Sequence, residues 1–179
     1  MDRMSVLREA RKTIDFLQNS VCFNDYVKNE VNRIYWTFLN QGVCKGFKRD
    51  RFIGAITYYV CIREGLGVNM KEIGTPLGIS KWDLSRTLST LKRLTKLAPV
   101  LPSEEALIIK NGNALGLRPE TITKAIQLSK TMNRSPLINS GLSLYLAMKE
   151  LKDNSTMKKI ADQLRVSESA IIAAKGKLK

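Results

Sequence analysis

No histidine occurs anywhere in this chain. That removes the imidazole general base, the nucleophile relay and the commonest metal ligand in one step. Cysteine is scarce: Cys22, Cys44 and Cys61 are widely spaced and form no C-x-x-C pair, so neither a zinc site nor a disulfide framework is indicated. They read as reduced thiols in or near the core of an intracellular protein. No apolar run approaches the ~18 residues of a membrane span. The opening residues, MDRMSVLREARK, lack the apolar stretch and cleavage site of a secretion signal. There is no P-loop, no glycine-rich phosphate signature and no supported pair of carboxylates, so nothing points to an enzyme.

Acidic residues are also in the minority. Thirty Lys and Arg stand against 16 Asp and Glu, a net charge of +14 and a pI of about 9.9 on 179 residues. The excess is spread: residues 1–100 hold 17 basic and 9 acidic residues, net +8, and residues 101–179 hold 13 and 7, net +6. A basic tail is thereby excluded. The charge exceeds the ~2–8 that solubility asks of a small domain. An evenly basic chain with 44% hydrophobic residues points to a folded protein with a polyanionic partner, most often nucleic acid, the competing reading being charge that only keeps it soluble.

What is present is helical periodicity. Leu7, Ile14 and Leu17 form an amphipathic stripe within 4–18, and Val27, Val31, Ile34, Tyr35 and Phe38 form another within 24–40. The segment 50–64, with Ile53, Ile56, Val60 and Ile62, is apolar on most sides and is expected at the centre of a bundle. Met70, Ile73 and Leu77 mark a short helix, Gly78-Ile79-Ser80 a turn, and Leu84, Leu88, Leu91 and Leu94 a following helix to about residue 96. Ser80 with Asp83 is a capping box that starts this helix at Lys81. The aromatics Trp36, Tyr58 and Tyr59 fall at core spacings. Trp82, at the start of the helix, is the one where exposure competes with packing, and packing is the expectation. No segment sustains period-two alternation, so no strand is expected. Pro99 and Pro102 break the pattern and place a linker at 99–102 between domains 1–98 and 103–179. The second half is expected to hold helices over 103–112, 118–131, 135–151, 156–164 and 168–179.

The two halves repeat. Tyr59-Val60-Cys61-Ile62-Arg63 lies over Tyr145-Leu146-Ala147-Met148-Lys149 at an offset of 86. One residue is gained in the next loop. Met70-Lys71-Glu72-Ile73 then lies over Met157-Lys158-Lys159-Ile160, and Leu77-Gly78-Ile79-Ser80 over Leu164-Arg165-Val166-Ser167, at 87. Lys48 falls on Arg134, both just before the apolar helix. Each half is thus a five-helix unit ending in a helix-turn-helix, the arrangement that places a second helix in the major groove.

Tandem five-helix repeats with Tyr-x-x-x-Arg/Lys in the central helix, MK-x-I in the short helix and [GR]-[IV]-S in the turn resemble the core of the transcription factor IIB family, its archaeal transcription factor B members above all. The stretches that carry the resemblance are YYVCIREGLGVNMKEIGTPLGISKWDLSRTLSTLKRL, NRSPLINSGLSLYLAMKEL and MKKIADQLRVSESAI. The resemblance covers the chain from about Leu7 to Lys179. It implies an all-α fold of two cyclin-like repeats and a non-catalytic role in starting transcription. The implied partners are the TATA-binding protein and promoter double-stranded DNA, with RNA polymerase beyond them; no membrane and no cofactor is implied. It implies the cytoplasm of an archaeal or virus-infected cell, or the nucleus of a eukaryote.

By position, the family's basic residue near promoter phosphates falls on Lys48 and Arg134, with Lys45, Arg49 and Arg51 nearby. Each cation there would release condensed counterions from a neutralised phosphate; the competing reading is a solvated helix cap. The family's second helix-turn-helix reads a purine-rich element with a valine and, three residues on, an arginine. Ser169 and Ile172 occupy those positions here, and Ile172 cannot make a bidentate guanine contact. Lys175, Lys177 and Lys179 remain on that helix for phosphates. The family's zinc ribbon, which engages polymerase, has no counterpart in these residues. Two alternatives stand beside this reading: a cyclin-box module that binds another protein through a helix-lined groove, and a stand-alone helix-turn-helix regulator.

Overall fold

A computed structural model of the chain describes residues 3–95, 97, 103–153 and 155–175. Among these it contains ten α-helices and no strand: α1 (Arg3–Val21), α2 (Asp25–Asn40), α3 (Arg49–Arg63), α4 (Met70–Gly74), α5 (Lys81–Thr95), α6 (Glu104–Ala114), α7 (Pro119–Ser129), α8 (Pro136–Glu150), α9 (Met157–Leu164) and α10 (Glu168–Lys175). None of them is long and apolar enough to cross a membrane. The helices begin where side chains satisfy the first free N–H groups. Asn24 accepts from the Val27 N–H, Asn69 from Lys71 and Glu72, Ser103 from Ala106 and Thr156 from Lys159. The Ser80–Asp83 capping box forms: Ser80 Oγ accepts from the Asp83 N–H at 3.1 Å and donates to its carboxylate at 3.0 Å. Pro119 and Pro136 open α7 and α8, where a missing N–H costs nothing.

The helices fall into two compact units, α1–α5 and α6–α10. In the first, α3 touches all four of its neighbours. Ten of its 15 residues are buried, so it has no solvent side to speak of. Phe52 anchors one end, with the rings of Tyr35, Phe38 and Phe47 packed at 5.9, 6.1 and 5.1 Å. Each fully buried Ile or Phe there contributes about 1.5–3 kcal/mol. In the second unit α8 has the same place, touching α6, α7, α9 and α10. Its core is more polar. Buried Asn139 donates to Met132 O and to Glu104 Oε1, both at 3.1 Å, and Ser140 donates to Pro136 O at 2.7 Å.

The repeat is visible in atomic detail. A Cβ on Gly54 of α3 would lie 2.9 Å from Leu84 Cδ2 and 3.1 Å from Leu77 Cδ1. One on Gly141 of α8 would lie 3.0 Å from Leu164 Cδ1 and 3.1 Å from Ile171 Cδ1. Gly54 and Gly141 stand 87 apart, as do Leu77 and Leu164 and Leu84 and Ile171, so the same hairpin-to-central-helix contact is made twice. The central helices thus pair at 87 rather than 86, which puts Lys48 over Ser135, the N-cap of α8, and not over Arg134. The turns match as well. Ile79 N–H donates to Gly74 O at 2.9 Å, and Val166 N–H donates to Ala161 O at 3.0 Å. Both turns need one left-handed residue, Gly78 at φ +64° and Arg165 at φ +53°.

Three expectations are corrected. Trp82 is not in the core: it is 80% exposed, because it lies two residues from Leu84 and so on the opposite side of α5 from Leu84, Leu88 and Leu91. Trp36 is also exposed, at 42%. Of the cysteines only Cys61 is buried; Cys22 is exposed, in a left-handed residue just past α1. The expected linker at 99–102 lies outside the described residues.

Glu30 of α2 is the electrostatic tie to α3. It takes Arg33 in a two-pronged contact at 2.8 and 2.9 Å and Arg63, at the end of α3, at 2.7 Å. The hydrogen bonds from Arg33 and then Arg63 hold its carboxyl down at about 2, against an ordinary 4.5. A depressed carboxyl stabilises the fold above its unfolded value and loses that contribution as the pH falls from about 4.5 toward 2. Glu30→Gln is therefore expected to lower stability at pH 7 by ~1 kcal/mol, since the group is partly screened, and to flatten the dependence of the urea midpoint on pH below 4.5. At the turn, a Cβ on Gly78 meets nothing within 4 Å, so Gly78→Ala tests backbone conformation alone. The expected loss is ~1 kcal/mol in urea unfolding; an unchanged midpoint would mean that the turn relaxes out of the left-handed region.

Candidate nucleic-acid interface

In the first unit the sequence-selected cations gather at the start of α3. Lys45 lies in the turn before it, Lys48 is its N-cap, and Arg49 and Arg51 are in its first turn. A helix N-terminus carries partial positive charge, so cations here are unfavourable by about 0.3–1 kcal/mol each. The fold answers two of them. Arg49 meets Asp50 at 3.2 Å and Glu9 of α1 at 3.9 Å, and Arg51 meets Asp83 of α5 at 3.1 Å. Lys45 and Lys48 are exposed and have no carboxylate partner among the described residues. Lys48 makes no capping bond, and an ammonium cannot accept one. Lys48 therefore occupies the cap position as an exposed side chain that does no capping. What remains is an uncompensated positive charge at a position that disfavours it.

Beside these cations lies a largely apolar cleft of about 320 Å³, lined by Tyr35, Leu39, Phe47 and Phe52 together with Lys45 and Arg49. Cys44 also lines it; burial pushes its thiol up to about 11, so it stays protonated at neutral pH.

In the second unit Arg134 lies half-buried two residues ahead of α8. On α10, Ser169 and Ile172 are exposed, Ile172 by 55%, while Ile171 and Ala174 are buried against the unit. Ser169 donates to Ser167 Oγ at 3.1 Å. Lys175 is exposed, with its Nζ 5.6 Å from the centre of the Tyr145 ring. Lys177 and Lys179 lie outside the described residues. On α5, Arg86 and Arg93, which were not among the expected site residues, are exposed together with Trp82. Their signal was present: they fall out of phase with the Leu84, Leu88 and Leu91 stripe.

If Lys48 serves binding at the expense of α3, replacing it with a true capping residue should reverse that balance. Lys48→Asp is expected to raise stability by about 1 kcal/mol in thermal unfolding and to weaken binding to duplex DNA. A variant that unfolds earlier than wild type would instead make Lys48 a structural residue.

Comparison with known proteins places this architecture. The family model for the transcription factor TFIIB repeat matches residues 3–94. The transcription initiation factor IIB of Ignicoccus hospitalis is 22% identical over 96% of this chain and 56% of its own length. That of Archaeoglobus fulgidus is 25% identical over 90% of this chain and 52% of its own, and the human factor 22% over 92% and 54%. The chain spans about half the length of the curated relatives it matches. With an all-helical pair of repeated units and a family match over more than half its residues, this chain belongs to the TFIIB repeat family.

Proposed function

We propose that this chain is a IIB-like core that binds the complex of the TATA-binding protein with promoter DNA and touches the DNA mainly through its backbone, without catalysis. On this reading residues 1–98 and 103–179 are its two cyclin-like repeats, joined at 99–102. The observation that supports it best is the cation placed ahead of each central helix, Lys48 before α3 and Arg134 before α8, in a chain of net charge +14. Lys45, Lys175 and Lys177 add phosphate contacts, and Arg49 and Arg51 contribute through charges already shared with carboxylates. Ser169 and Ile172 would face the groove without a purine-reading donor pair. The partners are the TATA-binding protein, promoter double-stranded DNA and, through the assembled complex, RNA polymerase.

A second reading draws on the apolar cleft beside Phe52: a protein-interaction module whose partner fills that cleft. It requires no salt-sensitive DNA binding.

One experiment separates them. In a mobility-shift titration with TATA-containing duplex, binding should be weak to bare DNA and strong once the TATA-binding protein is bound. Replacing Lys48 and Arg134 together with alanine should weaken binding on all sequences alike and reduce the log–log salt slope by roughly 2. Equal affinity for bare DNA and binary complex counts against the family reading. An unchanged slope removes these two residues from the phosphate contacts.

A further inference from the structure

We propose that the exposed face of α5, bearing Trp82, Arg86 and Arg93, is the base-reading surface of this protein, and that its ligand is the major groove of duplex DNA. The inference rests on the promoter-binding reading above and moves sequence readout from the second helix-turn-helix to the first.

The geometry is that of a reading helix. Residues 82, 86, 89 and 93 are spaced by four, three and four and so share one side of α5. Trp82, Arg86, Ser89 and Arg93 are exposed there, while Leu84, Thr87, Leu88 and Leu91 fix the other side in the core. From Trp82 to Arg93 the stripe runs about 16 Å. The start of the helix is rigidly held: Ser80 and Asp83 close the capping box, and Arg51 of α3 grips Asp83 at 3.1 Å. The only acidic side chain of α5 is thereby engaged, and the exposed surface carries Lys81, Arg86 and Arg93. A positive face on the second helix of a helix-turn-helix is complementary to duplex DNA.

The chemistry separates this helix from its repeat partner. At an offset of 87, Trp82 falls on Ser169, Ser85 on Ile172 and Arg86 on Ala173. The buried positions coincide, Leu84 with Ile171 and Thr87 with Ala174, so the two helices present equivalent faces. On α10 that face offers a hydroxyl and small or apolar groups. On α5 it offers a guanidinium, which pairs with guanine O6 and N7, and an indole, whose flat apolar side packs on a thymine methyl. A tryptophan left 80% exposed on a packed helix contributes little to folding, and its placement is explained by a surface it covers on binding.

The test is selection from a duplex library randomised on both sides of TATA, with the TATA-binding protein present, for wild type, Trp82→Ala, Arg86→Ala and Arg86→Lys. Both substituted positions, 82 and 86, are on the surface, and far-ultraviolet circular dichroism checks that each variant is folded. Wild type is expected to select a short block containing guanine. Arg86→Ala and Arg86→Lys should both lose that guanine preference by ~10- to 100-fold, the lysine variant doing so although it keeps the charge. Trp82→Ala should relax the neighbouring position. Identical selected sequences from all four proteins, with binding intact, would overturn the proposal and leave the promoter-binding reading standing. Unchanged selection with weaker assembly on the binary complex would assign the face to a protein contact and overturn it too. Failure of wild type to shift any TATA duplex in the presence of the TATA-binding protein would overturn the promoter-binding reading itself.

Discussion

A helix surrounded on every side by other helices dictates the rest of this molecule. α3 and α8 each touch the other four helices of their unit, and neither keeps a polar stripe for solvent. A helix so enclosed can meet water only at its ends. At the N-terminus of α3 the chain accordingly concentrates four cations within seven residues, Lys45, Lys48, Arg49 and Arg51. That end of the helix is electrostatically the wrong one for them. The fold then has to supply Glu9, Asp50 and Asp83 to restrain two of the four. Lys45 and Lys48 are left exposed, with no carboxylate partner among the described residues.

Duplication makes this argument stronger than a single unit could. The same left-handed turn residue, the same turn hydrogen bond and the same glycine-to-leucine approach occur in both units. Features fixed in both copies belong to the architecture. Features that differ between copies are free to be specialised. The exposed positions of α5 and α10 differ most: Trp82 and Arg86 in one, Ser169 and Ala173 in the other. Core polarity differs too, with Asn139 and Ser140 beneath α6 having no counterpart among the large apolar side chains around Phe52. Two units of one fold thus offer chemically distinct surfaces.

Much of the fold was legible because its determinants are local. Helix starts followed from Ser80 with Asp83 and from Pro119 and Pro136, and the bounds are met within two or three residues, save the expected end of the last helix, which lies outside the described residues. The central position of 50–64 followed from apolar residues on all its sides. Trp82 shows where local reasoning was misapplied. Aromatic identity suggested packing, but the phase of the leucine stripe already put that position on the outer face.

The sequence by itself determined the all-helical class, the duplication, the Ser80–Asp83 cap and the even spread of positive charge, since each depends on residues a few positions apart or on simple composition. Only the tertiary structure decided which charges stay available. Arg49 and Arg51 look like Lys45 and Lys48 in the sequence, yet they are held by Glu9 and Asp83, carboxylates far along the chain on α1 and α5. It also decided that Arg63 of the repeated motif is an internal tie to Glu30 and that Cys61 is a buried thiol while Cys44 is half-buried. Ion pairing and burial depend on which helices come together in space, and that is settled by packing around α3 and α8, not by neighbours in the chain.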